Sequence, residues 1–140
     1  MSRLFDSFLG EWILIPESCS FEQGEPPTAG LYRIEAAGDQ LTFTIISRDA
    51  DGDESTVTFS GIADGVPAPF AGGPLIDALS IKTVSSRELN SCGYYGGVEC
   101  MVAQRQLDES GNAMRVTQLV RFDDGTRLSN VAVYRRRVLN

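Results

Sequence analysis

The chain has 140 residues, of which 42% are hydrophobic and 22% charged, which fits one globular domain over residues 1–140 and excludes wholesale disorder. Its formal net charge of -7 argues against sequence-independent nucleic-acid binding, because phosphate contacts need clustered Lys and Arg, and the one basic run is Arg135–Arg137. The chain has no histidine, which excludes histidine-ligated haem, histidine general bases and histidine-based triads.

Three further features of the sequence indicate the cellular compartment of the protein. No apolar stretch approaches the roughly 20 residues that a membrane helix needs, and residues 1–7 lack the apolar core of a signal peptide. The three cysteines are an odd number, which fits a reducing compartment. We therefore expect a cytoplasmic protein with no membrane partner.

The first predicted strand, Phe8–Ile15, contains the only tryptophan, Trp12, close to Gly10, where the backbone can approach a neighbour closely. Residues 16–27 begin and end in proline and predict a loop, in which Pro16 could start a short helical turn.

The rest of the chain indicates strands separated by turns. The predicted strands are 31–35, 41–47, 56–62, 79–84, 87–95, 98–107, 114–122 and 128–137. Alternation is cleanest where Leu41, Phe43 and Ile45 are separated by threonines. Turns follow from Gly96-Gly97 and Asp123–Gly125. About nine antiparallel strands with no convincing helix predict an all-β barrel or sandwich, because an open sheet leaves unpaired edges.

The longest irregular stretch is Asp64–Pro74. Its three prolines and three glycines argue against a regular element. With Phe70 in it, this loop could cover the opening of a barrel, or it could be an inert connection.

Gly10-Glu11-Trp12 ahead of a meander of strands resembles the N-terminal motif of the calycin superfamily, which includes lipocalins and fatty-acid-binding proteins. The chain looks like small bacterial lipocalin-like proteins of unassigned function. They share a Ser-x-Phe-x-x-Gly-x-x-Pro stretch, approximated by Ser20–Pro27 with Cys19 at the first spacing, and a last strand like Asn130–Tyr134. The resemblance implies a single antiparallel up-and-down β-barrel of about eight or nine strands.

The resemblance also implies that Trp12 packs under a basic side chain of the last strand and closes the barrel. If Tyr134 points inward, that partner is Arg136, which shares its face, with Arg135 or Arg137 as alternatives. The fatty-acid-binding branch anchors a carboxylate with Arg-x-Tyr on this strand. Here the triplet begins with Ala132, which puts that anchor in doubt, and the histidine of the haem-binding branch is missing.

A barrel of this size encloses room for one small molecule. Any single lining candidate could equally be plain core. The candidates mix apolar surface with polar tips: Tyr32, Phe43, Phe59, Tyr94, Met101, Gln118 and Tyr134.

We expect non-catalytic binding of a small, largely apolar ligand, with no cofactor. The alternatives are an interaction module with a filled core that acts through its rim or as a homodimer, and an enzyme that uses tyrosine and carboxylate groups in the interior.

The remaining carboxylates and thiols predict neither a metal site nor a catalytic site. Asp49–Glu54 fits a hairpin turn better than a calcium loop, because its glycine is fourth rather than sixth. Cys92 and Cys100 would be opposed across a three-residue turn and one position out of register across a two-residue turn, and free thiols are favoured. Cys19 has no histidine to activate it. No metal site or catalytic residue is expected.

Overall fold

The computed structural model describes residues 3–22, 24–70, 75–122 and 124–137. A 3-10 helix, Leu4–Phe8, precedes ten strands. These are β1 Gly10–Phe21, β2 Ala29–Ala37, β3 Gln40–Arg48, β4 Glu54–Ile62, β5 Ala68–Pro69, β6 Ala78–Ser85, β7 Glu88–Tyr95, β8 Val98–Leu107, β9 Ala113–Arg121 and β10 Arg127–Arg136. Gln23 of the serine-to-proline motif, residues 71–74 of the long loop and Asp123 of the predicted turn lie outside the described residues.

The ten strands form one antiparallel sheet that curls into a nearly closed barrel. Each strand pairs with the next along the chain except β4 and β5, and β1 pairs with β10, which brings the two ends of the chain together. The predicted all-β up-and-down barrel is confirmed, with ten strands rather than eight or nine. The tenth is β5, two residues long and placed in the loop expected to be irregular; its Pro69 is tolerated because β5 is an edge strand.

The first strand is longer than the sequence predicts. β1 runs through Pro16 to Phe21 with a register shift between Ile15 and Ser20. Within this bulge the hydroxyl of Ser18 donates to the carbonyl of Ile15 at 2.6 Å and accepts the N–H of Val133 at 2.9 Å. The expectation of a loop from residue 16 was wrong, because a bulge accommodates proline and a serine side chain supplies the missing ladder bonds.

The N-terminal helix was not predicted, and it takes Phe8 out of the expected first strand. Phe5 and Phe8 are buried, and the carboxylate of Asp6 accepts the N–H of Arg3 at 2.9 Å. Five residues of 3-10 helix are too short to produce a periodic pattern. The helix covers one end of the barrel, which we call the closed end.

The buried core lies mostly at the closed end, against the helix and the turns beside it. Tyr32 and Ile34 on β2 point inward, as alternation predicts. The most deeply buried apolar side chains at this end are Phe8, Trp12, Ile34, Leu41, Leu89 and Met114. The opposite end, at the β3–β4, β7–β8 and β9–β10 turns, is called the mouth below.

The register of the β7–β8 hairpin does not place Cys92 and Cys100 opposite each other. Tyr95 pairs with Val98 across a two-residue turn, and a register shift follows, so that Cys92 lies opposite Val102 and not opposite Cys100. All three cysteines are free. Burial is the main cause that raises the pKa of both Cys19 and Cys92, which keeps these thiols protonated at neutral pH.

In the part of the chain that the structure describes, no helix has the length and apolar character needed to span a bilayer.

Candidate functional site

The barrel encloses a cavity of about 530 Å³ that extends to the mouth. Inward-facing side chains of nine barrel strands line most of it, because residues two apart along a strand share a face. The lining is Phe21, Tyr32, Ile45, Val57, Phe59, Phe70, Leu75, Ile76, Leu79, Ser91, Gly93, Met101, Val102, Ala103, Arg105, Val116, Gln118, Asn130, Ala132 and Tyr134. Most of this surface is apolar, and the polar groups in it are those of Tyr32, Ser91, Arg105, Gln118, Asn130 and Tyr134.

Five of the seven residues proposed from the sequence line this cavity: Tyr32, Phe59, Met101, Gln118 and Tyr134. The rings of Tyr32 and Tyr134 meet edge to face, with centroids 5.2 Å apart. Burial is the main cause that raises the pKa of Tyr134, so its phenol stays protonated and can donate a hydrogen bond.

The other two candidates lie elsewhere. Phe43 faces the interior but is fully buried in the packed core, and its ring stacks on that of Phe59 with centroids 4.7 Å apart. Tyr94 shares the outer face of the sheet with Ser80, and their hydroxyls are hydrogen-bonded at 3.0 Å. Tyr94 points outward because the inward face of β7 is formed by Leu89, Ser91 and Gly93.

The residue that sequence reasoning missed is Arg105 on β8, which is 1% exposed and lines the cavity. Its Nε donates to the hydroxyl of Tyr32 at 2.7 Å, and its Nη2 donates to the hydroxyl of Ser91 at 3.0 Å. Its Nη1 makes longer contacts with the carbonyls of Leu89, at 3.5 Å, and Ala103, at 3.4 Å. Period-two alternation from Met101, already proposed as inward, would have placed Arg105 on the same face.

The guanidinium of Arg105 is a buried positive charge with aromatic and hydroxyl neighbours. Its Cζ lies 4.5 Å from the centroid of Phe43 and 6.0 Å from that of Phe59. Within the described ranges no Asp or Glu forms an ion pair with it. A guanidinium has five N–H donors, and the contacts to Tyr32 and Ser91 leave Nη2 with one further N–H to offer.

The closed end of the barrel is sealed around Trp12. Trp12 pairs with Arg136 across β1 and β10, and the guanidinium lies 4.2 Å from the centre of the indole. Gly10 has φ +120°, a backbone conformation that L side chains rarely adopt, and the position of a Cβ there is 3.6 Å from Nη1 of Arg136. The indole N–H donates to the carbonyl of Phe8 at 3.0 Å, which ties β1 to the helix.

At the mouth, the segment Leu75–Asp77, which we call the strap, lies against the β7–β8 hairpin. The N–H of Asp77 donates to the carbonyl of Tyr94 at 2.8 Å, and its carboxylate accepts the N–H of Gly96 at 3.0 Å. Leu75 lines the cavity although it is 73% exposed. The strap therefore borders the opening, and Phe70 before it also lines the cavity.

Gly93 makes room for the strap. A Cβ at Gly93 would lie 2.8 Å from Cγ2 of Ile76, so one of the two must move. We expect Gly93→Ala to lower the free energy of unfolding by about 1–3 kcal/mol and to speed proteolytic cleavage within residues 75–77. Limited proteolysis followed by mass spectrometry measures the second effect. Adding Ile76→Ala should restore the wild-type cleavage rate, and a double variant that is cleaved as fast as the single one would contradict this account.

The β3–β4 turn brings three exposed carboxylates, those of Asp49, Asp51 and Asp53, within 4.8 Å of one another. The carboxylate of Asp49 accepts the backbone N–H groups of Asp51 at 2.9 Å and Asp53 at 3.0 Å. These hydrogen bonds within the turn explain the position of the Asp49 carboxylate without a metal ion.

No protein-family model matches the chain, and no curated protein matches it. Solved structures share its fold. A Schistosoma mansoni fatty acid binding protein in complex with arachidonic acid has 16% identity and a TM-score of 0.58, covering 97% of this chain and 100% of that one. The zebrafish ileal bile-acid-binding protein with cholic acid has 13% identity and a TM-score of 0.54, covering 94% and 100%. The siderocalin Ex-FABP has 11% identity and a TM-score of 0.54, covering 94% and 71%. The barrel is thus of the fatty-acid-binding-protein and lipocalin type.

Proposed function

We propose that this protein binds one small amphipathic molecule in its barrel without catalysis, with the apolar body in the cavity and an anionic head at Arg105. The observation that carries the proposal is the burial of Arg105 in the cavity wall without an ion-pair partner among the described residues. A buried charge is costly unless it is paired, so a site of this kind favours a ligand that brings the opposite charge.

The size and lining of the cavity support the apolar body. A volume of about 530 Å³ lies within the range of small-molecule sites. Phe21, Ile45, Val57, Phe59 and Met101 supply apolar surface. The ligands named with two of the similar folds, arachidonic acid and cholic acid, are apolar bodies with a carboxylic acid. These likenesses support a ligand class and do not identify the ligand.

Arg105 also supports an alternative to the carboxylate anchor that the last strand lacks. Ala132 stands where the fatty-acid-binding branch has the arginine of its Arg-x-Tyr motif. Across the sheet, Arg105 on β8 pairs with Val116 on β9, and Val116 pairs with Ala132 on β10. The positive charge is therefore supplied at the same level of the barrel from two strands away. With Tyr32 and Ser91 beside it, the guanidinium offers the charge-assisted hydrogen bonds that carboxylates favour.

The test is Arg105→Met, with a long-chain fatty acid and the matching fatty alcohol as ligands. Displacement of a fluorescent apolar probe measures both affinities. We expect the affinity for the acid to fall about 10- to 100-fold, since a hydrogen bond to a charged group contributes about 1.5–3 kcal/mol. The affinity for the alcohol should change less than about threefold.

The control is Arg135→Met, which removes the same charge from the exposed outer face of β10. It should leave both affinities unchanged. Equal losses for acid and alcohol in Arg105→Met, or binding of neither ligand to the wild type, would overturn the proposal.

The alternatives have less support. A fully packed interior does not fit a cavity of this volume. Catalysis by tyrosine and a carboxylate would need an interior Asp or Glu, and none of the described residues that line the cavity is acidic. For the compartment we keep the cytoplasm as a proposal, since three free thiols fit a reducing environment.

A further inference from the structure

Among the strands of the described residues, one neighbouring pair, β4 and β5, is not hydrogen-bonded, which leaves a gap in the barrel whose two edges differ. β5 is two residues long and lies next to Pro67 and contains Pro69, features that keep an edge from pairing with another strand. β4 is nine residues long, and after its first residue, Glu54, it contains neither a charged residue nor a proline. Edges of natural sheets are usually protected by such residues, so an unprotected edge of this length indicates a surface for a further strand.

The backbone of β4 offers free hydrogen-bonding groups in a regular row. Asp53 and Ala63, at the two ends of β4, form backbone hydrogen bonds on the β3 side. Because bonding alternates along an antiparallel pair, the odd-numbered residues between them bond β3 as well. The even-numbered residues Thr56, Thr58 and Ser60 then direct their N–H and C=O groups to the open side. None of the described backbone groups across the gap bonds to them.

The free part of the edge is Glu54–Ser60, which extends to the mouth. At the other end the gap narrows, since the N–H of Gly65 donates to the carbonyl of Ile81 at 2.8 Å and Gly61 packs against the Ile81 side chain. Towards the mouth, Val57 lines the cavity yet is 54% exposed. A strand added there would cover apolar surface that the single chain leaves open to water.

We infer that two copies of this chain associate through their β4 edges, in antiparallel register about Val57. Across that two-fold axis Val57 meets its own counterpart, Thr56 meets Thr58, and Glu54 meets Ser60. The outward-directed groups of Thr56, Thr58 and Ser60 then pair with outward-directed groups of the second copy, as an antiparallel ladder requires. No like charges are opposed, and the two valines form a close apolar pair.

A second copy is favoured over an unrelated strand because this segment is complementary to itself, and a two-fold contact closes without leaving a further free β4 edge. The contact is small compared with stable dimer interfaces, so we expect association to depend on concentration. In the dimer, the second copy covers the side of the cavity at Val57, independently of which ligand the cavity takes.

Sedimentation velocity of the whole chain from about 1 µM to about 1 mM tests this. We expect the mass to rise from 15.2 kDa towards twice that value. Thr58→Pro removes an outward N–H and should weaken association about tenfold or more. The pair Thr56→Lys with Thr58→Lys, which opposes ammonium groups across the axis, should do the same if the proline variant fails to fold.

The matched control is Thr42→Lys with Thr44→Lys, which adds the same charge to the outer face of β3 beside β4. This variant should associate like the wild type. A cysteine placed by Val57→Cys, in a chain whose three native cysteines are replaced by serine, should form a covalent dimer under mild oxidation. A wild-type chain that is monomeric at all concentrations, or equal weakening by the β3 and β4 lysine pairs, would overturn the inference.

Discussion

Replacing Trp12 with alanine is expected to lower the free energy of unfolding by about 3–5 kcal/mol, a loss at the upper end for a core substitution. The indole is 0% exposed and lies between the helix and the first and last strands. Alanine would leave a cavity under Arg136 and remove the hydrogen bond to Phe8. Chemical denaturation monitored by far-ultraviolet circular dichroism measures the loss.

The partner of Trp12 makes this prediction specific. The guanidinium of Arg136 donates to the carbonyls of Ser7 at 2.6 Å, Leu9 at 3.0 Å and Gly111 at 3.1 Å. Arg136→Met would leave these carbonyls unpaired and lose the contact with the indole, at a cost of about 2–3 kcal/mol.

Because the two side chains touch, the double variant should be more stable than the sum of the two losses implies, by about 1 kcal/mol. Arg135→Met on the exposed face should change stability by less than about 0.5 kcal/mol. Strict additivity of Trp12→Ala and Arg136→Met would show that the two residues stabilise the closed end separately.

The second large effect has the opposite sign. We expect Arg105→Met to raise the free energy of unfolding of the ligand-free protein by about 1–3 kcal/mol, because a buried charge without a carboxylate is replaced by an apolar side chain of similar length. A saturating fatty acid should stabilise the wild type and stabilise the variant far less, since binding to the folded state adds to its stability. Thermal or chemical denaturation with and without the acid measures both effects.

This experiment separates two roles for Arg105. If the guanidinium mainly links β8 to Tyr32 and Ser91 and stacks on Phe43, then Arg105→Met should destabilise the free protein by more than about 1 kcal/mol. If it mainly serves a ligand, the free protein should gain stability as affinity for the acid falls. Arg135→Met again controls for the loss of one charge.

Tyr94 and Phe43 show where sequence patterns were insufficient. On β7 the inward residues near the mouth are Ser91 and Gly93, small and weakly apolar, while the outward ones are Cys92 and Tyr94. The large side chain of Tyr94 therefore suggested an inward position, whereas the small residues of β7 face the cavity. Phe43 faces inward as expected, but alternation gives the face of a residue and not its level along the barrel axis, so it could not distinguish packed core from cavity wall.

The sequence by itself determined most of the strands and which of their residues share a face. Period-two alternation and turn residues are local features, and they were enough to propose Tyr32, Phe59, Met101, Gln118 and Tyr134 as cavity candidates. The partner of Trp12 came from the resemblance to calycins, which favoured Arg136 and kept Arg135 or Arg137 as alternatives. Arg105 was within reach of the same alternation, four positions beyond Met101.

Only the tertiary structure decided how distant strands combine. Arg105 meets a tyrosine 73 positions away in sequence, and the register shifts at Ile15 and Gly93 decide which residues face each other across β1–β10 and β7–β8. The gap beside β4 also depends on how the barrel closes, because it lies where β4 and β5, the two ends of the sheet, do not pair. Such outcomes depend on long-range packing and on bulges held by single side chains such as Ser18, which no local pattern encodes.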